Sequence, residues 1–148
     1  MATITAGTMR TSFHLALLLL TFLWQPTEEI AAGKGIDFTE LNWPDALVKA
    51  KTENKNLFVY VYADWCGQCK RLKKTSFKDP DAAAYFNKNF VNVAINGETD
   101  QGARIMRDFK ISSYPTLLIV DNNGRLKTKT SGVLKPYPLI NFGRRIVP

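Results

Sequence analysis

Histidine is nearly absent from this chain and cysteine almost so: one His (His14) and two Cys (Cys66, Cys69) occur in 148 residues. His14 sits in an N-terminal segment that is expected to be removed, so the remainder has no imidazole at all. That excludes Cys–His nucleophilic catalysis and the common His-containing zinc sites. Two cysteines cannot complete a four-sulfur metal site in one chain, which leaves only a site shared between two copies as a metal reading. Nor is there an apolar run of the ~20 residues a bilayer-spanning helix needs. The longest candidate, Phe13–Trp24, has twelve residues, with Arg10 before it and Gln25-Pro26 after it. It has the length of a signal-peptide h-region. A signal peptide over residues 1–32, cleaved after Ile30-Ala31-Ala32, is therefore expected, followed by one domain over 33–148. Initiation at Met9 would give a more compact signal. No cysteine follows the h-region at the cleavage site, so lipid attachment is not supported. The last residues, Ile146-Val147-Pro148, carry no ER-retention signal. The expected location is exported, periplasmic or extracellular.

Acidic residues are also scarce. The chain has 20 Lys and Arg against 13 Asp and Glu. Without Arg10, Glu28 and Glu29 the domain keeps 19 and 11, a net charge of +8. The basic residues are scattered, apart from a cluster at Lys70, Arg71, Lys73 and Lys74. An exported protein rarely meets nucleic acid, so the excess reads as a solvated basic surface and no nucleic-acid partner is expected. Internal repeats and low-complexity tracts are lacking.

Helix and strand signals alternate through the domain. Asn42 before Trp43-Pro44-Asp45 predicts a helix start that continues through Ala46, Leu47, Val48 and Ala50 until Asn54-Lys55-Asn56. Leu57–Tyr62 is apolar and β-prone, as in a strand covered on both faces. A helix is expected from Cys66 through Leu72 towards Phe77, and Asp79-Pro80-Asp81 caps another that reaches Phe86. Phe90–Ile95 reads as a strand, and Thr99-Asp100 caps a helix carrying Ile105, Met106 and Phe109. Thr116–Val120 is a second buried strand, joined through Asp121-Asn122-Asn123-Gly124 to an edge strand at Arg125–Thr130. Pro136 or Pro138 opens a last helix, and a further short strand is expected at Gly35–Phe38. The order predicts an α/β fold, a central mixed β-sheet flanked by helices on both faces. About 116 residues can bury a real core, so the cysteines are not needed to hold the fold.

The two cysteines lie in Asp64-Trp65-Cys66-Gly67-Gln68-Cys69-Lys70, directly after the buried strand. A helix starting there presents its amide N–H groups to the first sulfur, favouring thiolate over thiol. Two cysteines in one helical turn can also resolve a mixed disulfide without outside help.

Trp65-Cys66-Gly67-Gln68-Cys69-Lys70 after a buried strand, with Tyr114-Pro115-Thr116 before the next inner strand, resembles the thioredoxin superfamily. Tyr62-Ala63-Asp64-Trp65-Cys66, Cys69-Lys70 and Thr75-Ser76-Phe77-Lys78-Asp79-Pro80 are similar to the C-terminal periplasmic domain of DsbD and related exported thioredoxin-like proteins. The likeness covers about residues 40 to 145. It implies a thioredoxin-like fold, with Cys66 as an exposed nucleophile, Cys69 as the buried resolving thiol, and a cis Tyr114–Pro115 bond facing the dithiol. Trp65 would then shelter the sulfur, Gly67, Gln68 and Lys70 would tune it, and the Tyr114 backbone would pair with an extended substrate strand.

The sequence departs from that pattern at three places. Tyr60 stands where thioredoxins carry a buried acid that helps deprotonate the second cysteine. Lys73 replaces a carboxylate of the DsbD domain, and Gln68 replaces a proline of thioredoxins. A phenol of pKa about 10 is a poor base at neutral pH, which leaves water, Asp64 or a lysine to accept the Cys69 proton. Lys73 beside Lys70, Arg71 and Lys74 should favour a Cys66 thiolate and so a potential somewhat above that of thioredoxin.

The expected function is an exported thiol–disulfide oxidoreductase that reduces or exchanges protein disulfides through a Cys66 mixed disulfide resolved by Cys69. The redox-active Cys66–Cys69 disulfide would serve without a further cofactor or metal. The partners implied are protein disulfide substrates and a membrane or envelope electron donor, the chain itself being a monomer. The alternative is a non-catalytic peptide- or protein-binding module on the same scaffold, with the groove at Tyr114, Pro115 and Trp65 as its site.

Overall fold

A computed structural model of the protein describes residues 35–148. The expected leader over 1–32, its cleavage site and the start at Met9 lie outside the described residues. No helix among the described residues is long and apolar enough to cross a membrane.

The described chain forms α1 (Trp43–Thr52), β1 (Asn56–Tyr62), α2 (Gly67–Lys74), α3 (Pro80–Asn89), β2 (Phe90–Asn96), α4 (Asp100–Asp108), β3 (Thr116–Val120), β4 (Leu126–Ser131) and α5 (Pro136–Arg144). The sheet order is β2-β1-β3-β4. β1 runs parallel to β2, with Tyr60 opposite Ala94, and antiparallel to β3, with Val61 opposite Thr116. β4 closes the sheet as an antiparallel neighbour of β3. The two inner strands are the apolar ones, and Leu57 to Val61 of β1 and Leu117 to Val120 of β3 are fully enclosed.

Strand alternation divides the core in two. Phe58 and Tyr60 point to a face covered by Leu72 of α2, Phe86 of α3, and Leu139 and Phe142 of α5. Leu57, Val59 and Val61 point to the other face, against Ala46 and Ala50 of α1 and Ile105 of α4. This is the mixed sheet with helices on both faces that the element order predicts.

Local chemistry sets the helix starts. Asn42, Asp79 and Thr99 each accept the backbone N–H three residues on, satisfying donors that the first turn leaves free. α5 opens at Pro136, not Pro138, and its N-cap, Lys135, makes no side-chain cap. The expected strand at Gly35–Phe38 does not form. Pairing is limited to a bridge between Thr39 and Val93, and Ile36 instead donates its amide to Phe77 O at 2.7 Å. Gly35 has φ +85°, outside the range a strand uses, so the segment turns and straps the start of the domain to the end of α2.

Candidate active site

β1 delivers the chain to the sheet end at Tyr62, and a short turn through Ala63, Asp64 and Trp65 leads into α2. Cys66 is the N-cap of that helix, with extended backbone (φ −71°, ψ 106°), and its sulfur accepts the amide of Cys69 at 3.1 Å. A thiol sulfur thus occupies the place that Ser or Asp fills in ordinary caps, at the positive end of the helix. Cys66 and Cys69 are joined as a disulfide, their Cα atoms 5.2 Å apart. Cys69 is 1% exposed, as the buried partner should be. Cys66, implied to be the exposed sulfur, is only 5% exposed. The bond to Cys69 and the cap hydrogen bond hold its side chain over the first turn of the helix, away from solvent.

Trp65 precedes the pair directly and stands out from the surface. Its side chain is 70% exposed, with the ring set edge-on to Tyr114 at 5.8 Å. Gly67, Gln68 and Lys70 all lie on the exposed side of α2. Tyr114–Pro115 is a cis peptide bond, and Pro115 is buried. Pairing of Thr116 with Val61 brings this loop to the same sheet end as the Ala63–Cys66 turn. The loop is pinned there by Thr116, which donates to Ser113 O at 2.7 Å, and by the Gly132 amide, which donates to Pro115 O at 2.8 Å.

Tyr60 is fully buried, and its hydroxyl donates to the Cys69 carbonyl at 3.2 Å. The ring stacks on Tyr62 at 5.2 Å and meets Phe77 edge-on at 4.9 Å. Burial first, and then the neighbouring Tyr62, raise its pKa far above the ordinary phenol value. The residue in the acid's place is therefore a protonated donor to the backbone of the dithiol helix. The Lys73 ammonium sits over aromatic faces: Nζ lies 4.1 Å from the Tyr62 ring centroid and 5.8 Å from that of Tyr60. The electron-rich ring faces hold it by cation–π attraction. Asp64 is exposed and accepts from Asn96 Nδ2 at 3.0 Å.

Three residues that the sequence reading did not single out seat Tyr114. Its hydroxyl lies 2.8 Å from Glu98 Oε1 and 2.9 Å from Met106 Sδ. Desolvation, followed by the hydrogen bond to Glu98 and its charge, pushes the Tyr114 pKa up to about 12. Gly97 makes room for the phenol, since a Cβ there would run into Tyr114 and Met106. The signal was present only as Asn96-Gly97-Glu98 just before a helix cap, which is indistinguishable from an ordinary loop. Among the described residues no three His, Cys, Asp or Glu side chains converge as a metal site.

A disulfide capping a helix at the end of a mixed sheet, beside a cis-proline loop, defines a dithiol–disulfide class of α/β domain. The chain belongs to the thioredoxin-like family, whose sequence model matches residues 37–122. Among known proteins it is similar to the thiol:disulfide interchange protein DsbD of Photorhabdus laumondii. Identity is 24% over 110 residues, covering 72% of this chain and 19% of that protein. The DsbD of Haemophilus influenzae strain PittEE is 27% identical over 146 residues, 88% of this chain and 25% of that protein. The chain therefore spans a quarter or less of the length of these curated relatives. Among solved structures, a Bacteroides thetaiotaomicron protein described as a candidate disulphide-isomerase is 38% identical with a TM-score of 0.68, covering 74% of this chain and 91% of its own. The oxidised C-terminal domain of Neisseria meningitidis DsbD shares the fold at a TM-score of 0.60 and 17% identity, covering 69% and 90%.

Proposed function

We propose that this protein is an exported thiol–disulfide oxidoreductase that acts on protein disulfides. The observation that carries the reading is the position of Cys66: its sulfur caps α2, accepts the Cys69 amide and is already paired with Cys69. In the reduced protein the Cys66 thiolate attacks one sulfur of a substrate disulfide, forming a mixed disulfide and releasing the other substrate sulfur as a thiolate. The Cys69 thiolate then attacks Cys66 Sγ and expels the second substrate sulfur. Two electrons pass to the substrate, its sulfurs take up two protons, and Cys66–Cys69 returns to the disulfide. Trp65 and Tyr114 supply an aromatic wall beside the attacking sulfur, and the cis-proline loop offers the Tyr114 backbone to an extended segment. Turnover needs an electron donor in the envelope, a role that the likeness to DsbD proteins suggests for a membrane partner. Export rests on the Phe13–Trp24 run and on the same likeness.

The test is insulin reduction by the wild type and by Cys66→Ser and Cys69→Ser. Cys66→Ser should abolish turnover, and Cys69→Ser should trap a mixed disulfide on Cys66. Full activity in Cys66→Ser would rule the mechanism out. The second reading, a binding module with a permanent disulfide, is favoured by one observation: Tyr60 is a protonated donor to Cys69 O, so no acid stands ready beside the second thiol. A disulfide that persists in a glutathione buffer would support it.

A further inference from the structure

α2 carries more like charge than a helix of its length holds comfortably. Lys70, Arg71 and Lys74 are exposed, and with Gly67 they fall at i, i+3, i+4 and i+7, one continuous stripe that begins next to Cys66. Lys70 and Lys74 are an i,i+4 pair and Arg71 and Lys74 an i,i+3 pair, and such like-charge pairs each destabilise a helix by roughly 0.2–0.5 kcal/mol. The last-turn residues gain something back from the helix dipole, but Lys70, in the first half of the helix, does not. There is no acid in the first turn of α2, and the ion pairs among the described residues lie elsewhere, on Glu53 and Asp121. Lys73 is different, because its ammonium rests on the Tyr62 ring off the stripe. At the head of the stripe, a Cβ on Gly67 would meet nothing within 4 Å, so an approaching chain has open access there.

From this arrangement we propose that the Lys70–Arg71–Lys74 stripe is a docking surface for protein substrates whose reactive disulfide is flanked by acidic residues. The proposal rests on Cys66–Cys69 being a working dithiol. A positive ridge about 6 Å long, at a rise of 1.5 Å per residue, that begins one helical turn beyond the attacking sulfur selects partners carrying carboxylates a few residues from their own cystine. It raises the encounter rate with them and repels basic ones.

The experiment uses the full chain, reduced, and three peptides cyclised by one disulfide and identical except for glutamate, glutamine or lysine flanks. Second-order reduction rates are measured at about 20 mM and about 300 mM salt, a change that shortens the screening length severalfold. Each rate is divided by the rate of Cys66 alkylation with uncharged iodoacetamide, which removes any change in thiolate content. The glutamate peptide should be reduced about tenfold faster than the lysine peptide at low salt, with the gap closing at high salt. Lys70→Glu/Arg71→Glu/Lys74→Glu should reverse the order. Lys51→Glu/Lys88→Glu/Arg145→Glu, an equal change of net charge at exposed positions outside α2, should keep most of the preference. Equal rates for the three peptides, or equal losses in the two triple variants, would overturn the stripe while leaving the oxidoreductase reading intact. If none of the peptides is reduced, that reading fails first. Binding of anionic phospholipid vesicles that depends on the stripe, without peptide discrimination, would also overturn the proposal in favour of a membrane surface.

Discussion

Tyr60 ties the dithiol helix to the sheet, and the chemistry of a phenol decides what it can contribute. Its hydroxyl donates to Cys69 O, its ring is enclosed by aromatic neighbours, and burial raises its pKa. It is therefore protonated throughout the neutral range. Tyr60→Phe removes one hydrogen bond from a buried carbonyl and should cost about 1 kcal/mol in the urea unfolding of the oxidised protein. The same variant should leave the pH dependence of thiol alkylation in the reduced protein within about half a unit of wild type, because no proton is lost from Tyr60 near neutrality. A larger displacement would mean that the phenol takes part in proton transfer from Cys69. Much at this scale was legible in the sequence. Cys66 and Cys69 stand out by type and spacing, Trp65 and Tyr114-Pro115 through the likeness to thioredoxins, and the structure brings all of them to one sheet end. The burial of Cys66 and the seat of Lys73 were not legible, because both depend on where β1 side chains lie relative to a helix that follows them.

The β2–α4 connection shows the same limit for elements. Caps at Asn42, Asp79 and Thr99 are readable because each acts within three residues of itself, and all three form as expected. Pairing of the Gly35–Phe38 segment is not legible in the sequence, because the left-handed turn at Gly35 comes with a strap from Ile36 to Phe77, 41 positions away. The seat of Tyr114 is also long-range: Gly97, Glu98 and Met106 matter only once β3 lies beside β1. Gly97→Ala tests it. The added Cβ would have to displace the Tyr114 ring or the Met106 thioether, an overpacking that costs about 1–3 kcal/mol. Because Tyr114 faces Trp65 at the site, insulin reduction should fall together with the denaturation midpoint. Loss of stability with unchanged turnover would mean that Tyr114 only packs. A smaller effect is expected on the opposite edge, where Lys129 Nζ donates to Phe109 O and Lys110 O at 2.8 Å each and closes the end of α4. Lys129→Met should lower stability by about 0.5–1 kcal/mol without touching activity.

For the molecule as a whole, two electrostatic balances can be read out. The first is redox. The helix N-terminus and the unpaired cations of α2 favour a Cys66 thiolate, and the low exposure of Cys66 opposes it. With no carboxylate on α2, the attractive part should win, placing the equilibrium potential against glutathione above the about −270 mV of thioredoxin. A lower value would mean that burial dominates. The second balance is alkaline stability. Tyr60, Tyr62, Tyr85 and Tyr114 all have raised pKa values, burial being the first cause in each. A raised phenol pKa means that the folded state binds the proton more tightly than the unfolded chain does. Its contribution to stability is complete below the ordinary value of about 10 and is lost as the pH rises through the folded value. For Tyr114 that window runs from the ordinary phenol value to about 12. Because the four rings are held in one packed domain, their ionisation should be delayed and then coupled to unfolding. Phenolate absorbance should rise steeply at the pH where the far-ultraviolet dichroism is lost. Titration of Tyr60, Tyr62, Tyr85 and Tyr114 in gradual steps near the ordinary phenol value, with the fold intact, would show that these rings are not held as the structure describes.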